Sequence, residues 1–147
     1  MNNGELNCLL GRLSRLHFRR SYTEFSRLGI TRGQPRILRY LESHEGCIQR
    51  ELSENCHLEP ATITNTLEKM EQKGLIERRY EPGSHRNVQV FLTDKGREGL
   101  QLVGQVNKLL EEECFAGFAP DEVGLAADFL ERICQNMIKA DEAGQEN

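Results

Sequence analysis

No run of about 18 apolar residues occurs in this chain, which excludes a membrane-spanning helix. The N-terminal MNNGELNCLLGRL has no basic opening before a long apolar core and no small-residue cleavage site. It is not a secretory signal, and the expected location is the cytoplasm. Paired cysteines are missing as well. Cys8, Cys47, Cys56, Cys114 and Cys134 are odd in number and never form C-x-x-C, which excludes a disulfide framework and a zinc ribbon. His17, His44, His57 and His85 are scattered and form no H-x-x-x-H or H-E-x-x-H motif, so no metal site is expected. There is no glycine-rich phosphate loop, no nucleophile elbow and no carboxylate pair at active-site spacing. No cofactor is expected, and an enzyme is the class with least support. Repeats and low-complexity linkers are also absent.

Hydrophobic residues are few, at 37% of 147. A long helical chain with so lean a core often completes it with a second copy of itself. Formal net charge is −4, which by itself argues against a polyanionic partner. Its distribution matters more. Residues 1–59 carry net +2, residues 60–97 net +2 and residues 98–147 net −8. The acidic excess sits in the C-terminal third, so a DNA contact belongs to the middle of the chain. Imbalances of this size also occur in ordinary solvated surface.

Periodicity then orders the elements. Leu6, Leu9, Leu13, Leu16, Tyr22, Phe25 and Leu28 recur mostly at gaps of three or four, which predicts one amphipathic helix over 5–28 stopped by Gly29. Thr31-Arg32-Gly33-Gln34 has the form of a capping box, predicting a helix from about Arg32 to His44 with Ile37, Leu38 and Leu41 inward. Cys47-Ile48 is a short extended piece. A third helix covers Gln49–Asn55. Pro60 opens a fourth, which Lys73-Gly74 ends. Leu75–Tyr80 and Asn87–Thr93 form a hairpin across Pro82-Gly83. Thr93-Asp94 restarts a helix with Leu100, Val103, Val106, Leu109 and Leu110 along its stripe. Gly117 and Pro120 interrupt. The last helix runs from about Asp121 to Ala140, with Val123, Ala126, Phe129, Leu130, Ile133, Met137 and Ile138 inward, and the tail frays from about 142.

The predicted fold is mainly α with a small β wing: a winged helix-turn-helix at 31–97, with dimerisation helices at 1–30 and 98–141. Within the joint, Leu52, Cys56, Leu58, Ile63 and Leu67 are expected to face inward, and Ser53 is small enough for close crossing. Pro60, Ala61, Thr62, Thr64, Asn65, Glu68 and Lys69 then remain outward. Short hydroxyls, an amide and a lysine suit base edges and phosphates. They would equally make a polar solvent face, although threonine is a mediocre helix former and three in one helix need a reason. Arg78 and Arg79 flank the wing, and Ser84, His85 and Arg86 form its tip. A tip arginine suits the narrow, negative minor groove; it also suits an edge hairpin that must stay soluble.

The run LSENCHLEPATITNTLEKMEQKGLIERR, followed by VQVFLTDKG, resembles the MarR family of bacterial transcriptional regulators. The resemblance is strongest over 47–97, through Lys73–Arg78 (K-G-L-I-x-R) and Leu92–Gly96 (L-T-x-x-G), and the helix order extends it to nearly the whole chain. It implies a homodimer with interlocked terminal helices, whose recognition helices (here about Pro60–Lys73) enter successive major grooves of a pseudo-palindromic operator, as a repressor or activator. Half-sites would lie about 10 bp apart. It maps the family's wing arginine onto Arg86. Here the chain departs from the pattern: Ser84 replaces an acidic residue that often holds that arginine, and His85 replaces a second arginine. Met70 takes the place of a leucine, and Thr66 that of an apolar residue.

The resemblance further implies an effector crevice between the dimerising helices and the winged module, taking a small aromatic or anionic ligand. His17, Arg20 and Tyr40 are candidate lining residues; an ordinary packed core is the alternative. Some relatives sense peroxides through a cysteine near the start of the first helix, held by tyrosines. Cys8 sits in a similar place, but no tyrosine lies within two turns of it, and a quiet buried cysteine is the alternative. Cys47, Cys56, Cys114 and Cys134 are read as core fillers. A winged-helix dimer that binds protein rather than DNA also fits the negative total charge and the altered wing.

Overall fold

The computed structural model describes residues 4–83 and 87–145, as six helices and three strands in the order α1 (Glu5–Arg27), α2 (Gln34–Ser43), β1 (Cys47–Ile48), α3 (Gln49–Asn55), α4 (Pro60–Gln72), β2 (Ile76–Tyr80), β3 (Val88–Leu92), α5 (Asp94–Cys114) and α6 (Pro120–Gln145). It divides into two compact units, Met1–Leu110 and Glu111–Asn147.

In the first unit the core collects Ile37, Leu38 and Leu41 of α2, Leu52 of α3, Ile63, Leu67 and Met70 of α4, Val90 of β3 and Val103 of α5, all 1% exposed or less. Each such side chain stabilises the fold by roughly 2 kcal/mol through removal from water. The sheet order is β1-β3-β2 and both pairings are antiparallel, with Cys47 opposite Val90 and Ile76 opposite Leu92. The strand piece expected at Cys47-Ile48 is therefore the outer edge of a three-stranded wing.

Two helices end in the same way because glycine follows each. After α1, Gly29 has φ 69°, its N–H bonds the Ser26 carbonyl, and the Ile30 N–H reaches back to Phe25. After α4, Gly74 has φ 74°, its N–H bonds Glu71, and the Leu75 N–H reaches Met70. Both are Schellman ends, in which a left-handed residue lets the chain cap its own last carbonyls. Between α3 and α4 the same role falls to His57, at φ 50°, with the Leu58 N–H bonding Ser53 O. A β-carbon makes that conformation costly.

Several expectations need correction. Helix α2 starts at Gln34, not Arg32, because Gly33 takes φ 87° and becomes the cap. Half of the expected box forms: the Thr31 N–H donates to Gln34 Oε1, while Gln34 Nε2 is buried without a partner among the described residues. The stripe expected inward on α6 is not buried; Phe129, Leu130, Ile133, Met137 and Ile138 are exposed, and no α6 residue is buried. Of the α1 stripe only Phe25 is buried. Cys114 and Cys134 are exposed rather than core fillers, whereas Cys47 and Cys56 are buried. The last helix continues past Ala140 to Gln145, where the Gln145 side chain bonds Asp141 one turn back.

Two substitutions test the backbone. A β-carbon on Gly96 would sit 2.0 Å from the Leu75 carbonyl oxygen. Gly96→Ala should destabilise the fold by about 3 kcal/mol, the upper end of overpacking costs, in urea unfolding. His57→Gly should stabilise it by about 1 kcal/mol in the same assay, by relieving the left-handed residue.

Candidate nucleic-acid interface

Helix α4 has two sharply different faces. Ile63, Thr66, Leu67 and Met70 are buried, and Pro60, Ala61, Thr62, Thr64, Asn65, Glu68 and Lys69 are exposed. The expected outward set therefore shares one side of one helix. Thr66, the polar departure in the buried row, donates its hydroxyl to the Thr62 carbonyl at 2.7 Å, so its burial leaves no O–H unpaired. Thr64 also donates to the carbonyl four residues back, Pro60 O, at 3.0 Å, and accepts from Gln49 Nε2 at 2.7 Å.

The ends of α4 are tied down from several directions. Lys73 Nζ bonds the Gly29 carbonyl at 2.8 Å, and Lys95 Nζ bonds the Lys73 carbonyl at 2.7 Å. At the N-terminal joint, Ser53 Oγ donates to Leu58 O at 2.7 Å and Arg36 donates to Cys56 O at 2.9 Å. Arg78 of β2 bonds Glu71, and this ion pair raises the guanidinium's pKa. The other wing arginine, Arg79, lies 4.1 Å over the Phe91 ring and also pairs with Glu77. Both arginines flanking the wing are thus engaged within the chain. Ser84, His85 and Arg86 lie outside the described residues.

A cleft of about 290 Å³ opens between α1 and α2. Phe18, Tyr22, Phe25, Ile30 and Pro35 supply its apolar wall, and His17, Arg32, Arg36 and Arg39 its basic groups. The Arg32 guanidinium stacks 5.5 Å from the Phe18 ring. Of the candidate effector residues, His17 lines this cleft. Arg20 and Tyr40 are not among its lining residues. Arg20 pairs with Glu24, whose carboxyl is held low chiefly by that hydrogen bond. Tyr40 stacks on His44 at 4.1 Å and lines a separate groove with Arg36 and Arg39. The arginines were missed because α2 reads as a core helix; their i, i+3 and i+4 spacing over 32–39 was the available signal.

Cys8 is exposed on α1, and no tyrosine hydrogen-bonds to it among the described residues. Burial pushes the Cys47 thiol up to about 11 and raises that of Cys56. Among the described residues no group of three or more His, Cys, Asp or Glu could hold a metal ion, and no helix is long and apolar enough to cross a membrane.

A helix-turn-helix followed by a β-hairpin that pairs with β1, with long helices before and after in the chain, defines a winged-helix fold. Residues 30–88 match the MarR family. The chain is 28% identical over 109 residues to the uncharacterised HTH-type transcriptional regulator YdgJ of Bacillus subtilis, a match covering 74% of this chain and 66% of that protein. Its fold matches a MarR transcriptional regulator of Methanosarcina mazei with a TM-score of 0.82 at 22% identity, over 95% of this chain and 93% of that one. A MarR-family regulator of Listeria monocytogenes, solved with a 26mer DNA, matches with a TM-score of 0.74 at 25% identity, over 87% and 85% of the two chains. The winged module at residues 30–88 thus matches the MarR family of transcriptional regulators, and the chain as a whole shares the fold of solved MarR-family proteins.

The thiol environments give a direct test. Iodoacetamide at neutral pH should leave Cys47 and Cys56 unmodified in the folded chain and label both after unfolding, as read by peptide mass spectrometry. Labelling of either at the rate of a free thiol would contradict their burial.

Proposed function

We propose that this regulator binds a pseudo-palindromic operator in double-stranded DNA as a homodimer, with the exposed face of α4 as its reading surface. The observation that carries this is the division of α4 itself. A buried apolar back fixes the helix, while Ala61, Thr62, Thr64, Asn65 and Lys69 stand together in solvent. Asn65 suits an adenine edge, the threonine methyls suit thymine, and Lys69 suits a phosphate. Pro60 completes this surface at the start of the helix, and on this reading Ser84, His85 and Arg86, which lie outside the described residues, are minor-groove contacts as well. The Listeria relative solved with DNA supports the same use here.

What single-chain burial leaves uncovered supports the dimer. Leu6, Leu9, Leu13 and Leu16 on α1, and Phe129, Leu130, Ile133 and Ile138 on α6, are all more than a third exposed. Two runs of this kind are costly in water, and a second copy offers matching ones. The α1–α2 cleft suits a small aromatic anion: its wall is aromatic and apolar, and its rim carries arginines. Its rim also touches the reading helix. Gly33, which lines the cleft, lies close to Leu58 and Thr66, and the neighbouring Gly29 carbonyl is held by Lys73. An occupant that moves residues 29–33 would therefore move α4.

The test is a fluorescence-anisotropy titration of the promoter DNA beside the chain's own gene, over a salt series. Affinity should fall as salt rises, with two chains bound per site. Asn65→Ala with Lys69→Ala should weaken binding at least about tenfold, and the lysine change should make the log–log salt slope shallower by about one. Benzoate, as an aromatic-anion probe, should release the DNA. Equal, weak binding to any duplex would overturn the reading. Operator binding unaffected by benzoate would remove the aromatic-anion effector alone.

A further inference from the structure

The link between Gln49 and Thr64 joins the first residue of α3 to the exposed face of α4 and has a consequence for what α4 can read. A threonine hydroxyl has one proton to give and two lone pairs to offer. In Thr64 the proton goes to the Pro60 carbonyl at 3.0 Å, and one lone pair takes the Gln49 Nε2–H at 2.7 Å. The amide orientation is set by this arrangement, since Thr64 has no second proton for a Gln49 oxygen. What Thr64 can then show a partner is a methyl group and one acceptor lone pair. It cannot donate without giving up Pro60. That is a narrower surface than a free threonine offers. It favours the thymine methyl or an exocyclic amino group over the purine N7 and O6 acceptors, which need a donor.

We infer that Gln49 is a specificity-determining positioning residue for DNA reading, acting through Thr64. The amide holds the hydroxyl in its acceptor state and helps fix the rotamer of the back-bonded side chain. It does so from outside the recognition helix, across the helix-turn-helix joint. Half-buried beside Ile48, Ser53, Pro60 and Ile63 in a shallow groove, Gln49 has limited freedom to leave this position. The inference rests on the reading of α4 as the DNA-facing helix.

The experiment is selection from a randomised duplex library by the full chain, followed by sequencing of the bound DNA, for wild type, Gln49→Ala, Thr64→Val and the double variant. Thr64→Val keeps the shape and removes the hydroxyl. Gln49→Ala should relax or switch the preferred base at the same positions of each half-site as Thr64→Val, with a loss of discrimination of about fivefold or more there. Other positions should be unchanged, and the double variant should match Thr64→Val alone, because the amide acts only through the hydroxyl. A wild-type preference that Gln49→Ala leaves intact, with affinity lowered evenly across sequences, overturns the inference and leaves DNA binding standing. Changes at positions other than those of Thr64→Val overturn it too. A wild-type chain that enriches no sequence overturns the DNA reading, and the inference with it.

Discussion

Three successive carbonyls at the end of α4 are all taken by groups from elsewhere in the chain. Lys95 Nζ bonds that of Lys73, the Thr93 hydroxyl bonds that of Gly74, and the Thr93 N–H bonds that of Leu75. Thr93 also caps α5 by accepting from the Gly96 N–H at 3.0 Å. Gly96 is therefore pressed against the Leu75 carbonyl, where any side chain would collide with backbone. From the other side Lys73 reaches the Gly29 carbonyl. The corner at Lys73–Leu75 thus fixes α4 relative to the end of α1, the wing and the start of α5. If it opened, the apolar back of α4 would lose its seat, and the exposed face would lose its direction.

This constraint ties the wing to α4. Leu75 leaves the corner directly into β2, and Ile76 pairs with Leu92 immediately before Thr93. Arg78 then bonds back to Glu71 from the third residue of the strand. A wing arginine that sequence reasoning would offer to DNA is spent on alignment. Arg79 is drawn over Phe91 in the same way, which also screens an aromatic ring on the central strand from water. The positive charge of the middle segment is therefore less available than its count suggests. Lys73, Arg78, Arg79, Lys95 and Arg97 all have partners within the chain, Arg97 through both oxygens of Glu45.

Elements with strong local signals were legible from residues alone. Gly29, Gly74 and Pro60 mark helix ends because backbone sterics admit few alternatives there, and the two-residue period of β3 follows from its pleat. The buried and exposed rows of α4 were legible for the same reason: a helix whose partners are covered on one side must repeat them at 3.6 residues. What was not legible is long-range and polar. Gln49–Thr64, Lys73–Gly29 and Arg78–Glu71 are hydrogen bonds between residues 7 to 44 positions apart, and no periodicity encodes them. His57 gave no sign that it would occupy a glycine's conformation. Gly33 misled, because a capping-box pattern suggested a helix start two residues before the chain could make one.

The apolar stripes of α1 and α6 mark the limit of pattern reading most clearly. Spacing shows that one side of a helix is apolar; it does not show what that side meets. For α5 the stripe meets its own chain, and Val103, Val106 and Leu110 are buried. In α6, by contrast, Phe129, Leu130, Ile133 and Ile138 of the stripe are exposed. The two helices differ in surroundings, not in pattern. A residue's inward assignment is therefore a statement about free energy still to be gained, and burial within one chain decides whether folding gains it. Where folding does not, association must, or the exposed area stays a standing cost in water. Folding leaves that cost on the helices at both ends of the chain, whereas it buries the back of α4. The back of α4 is covered within a single copy, whereas the stripes of α1 and α6 stand exposed there.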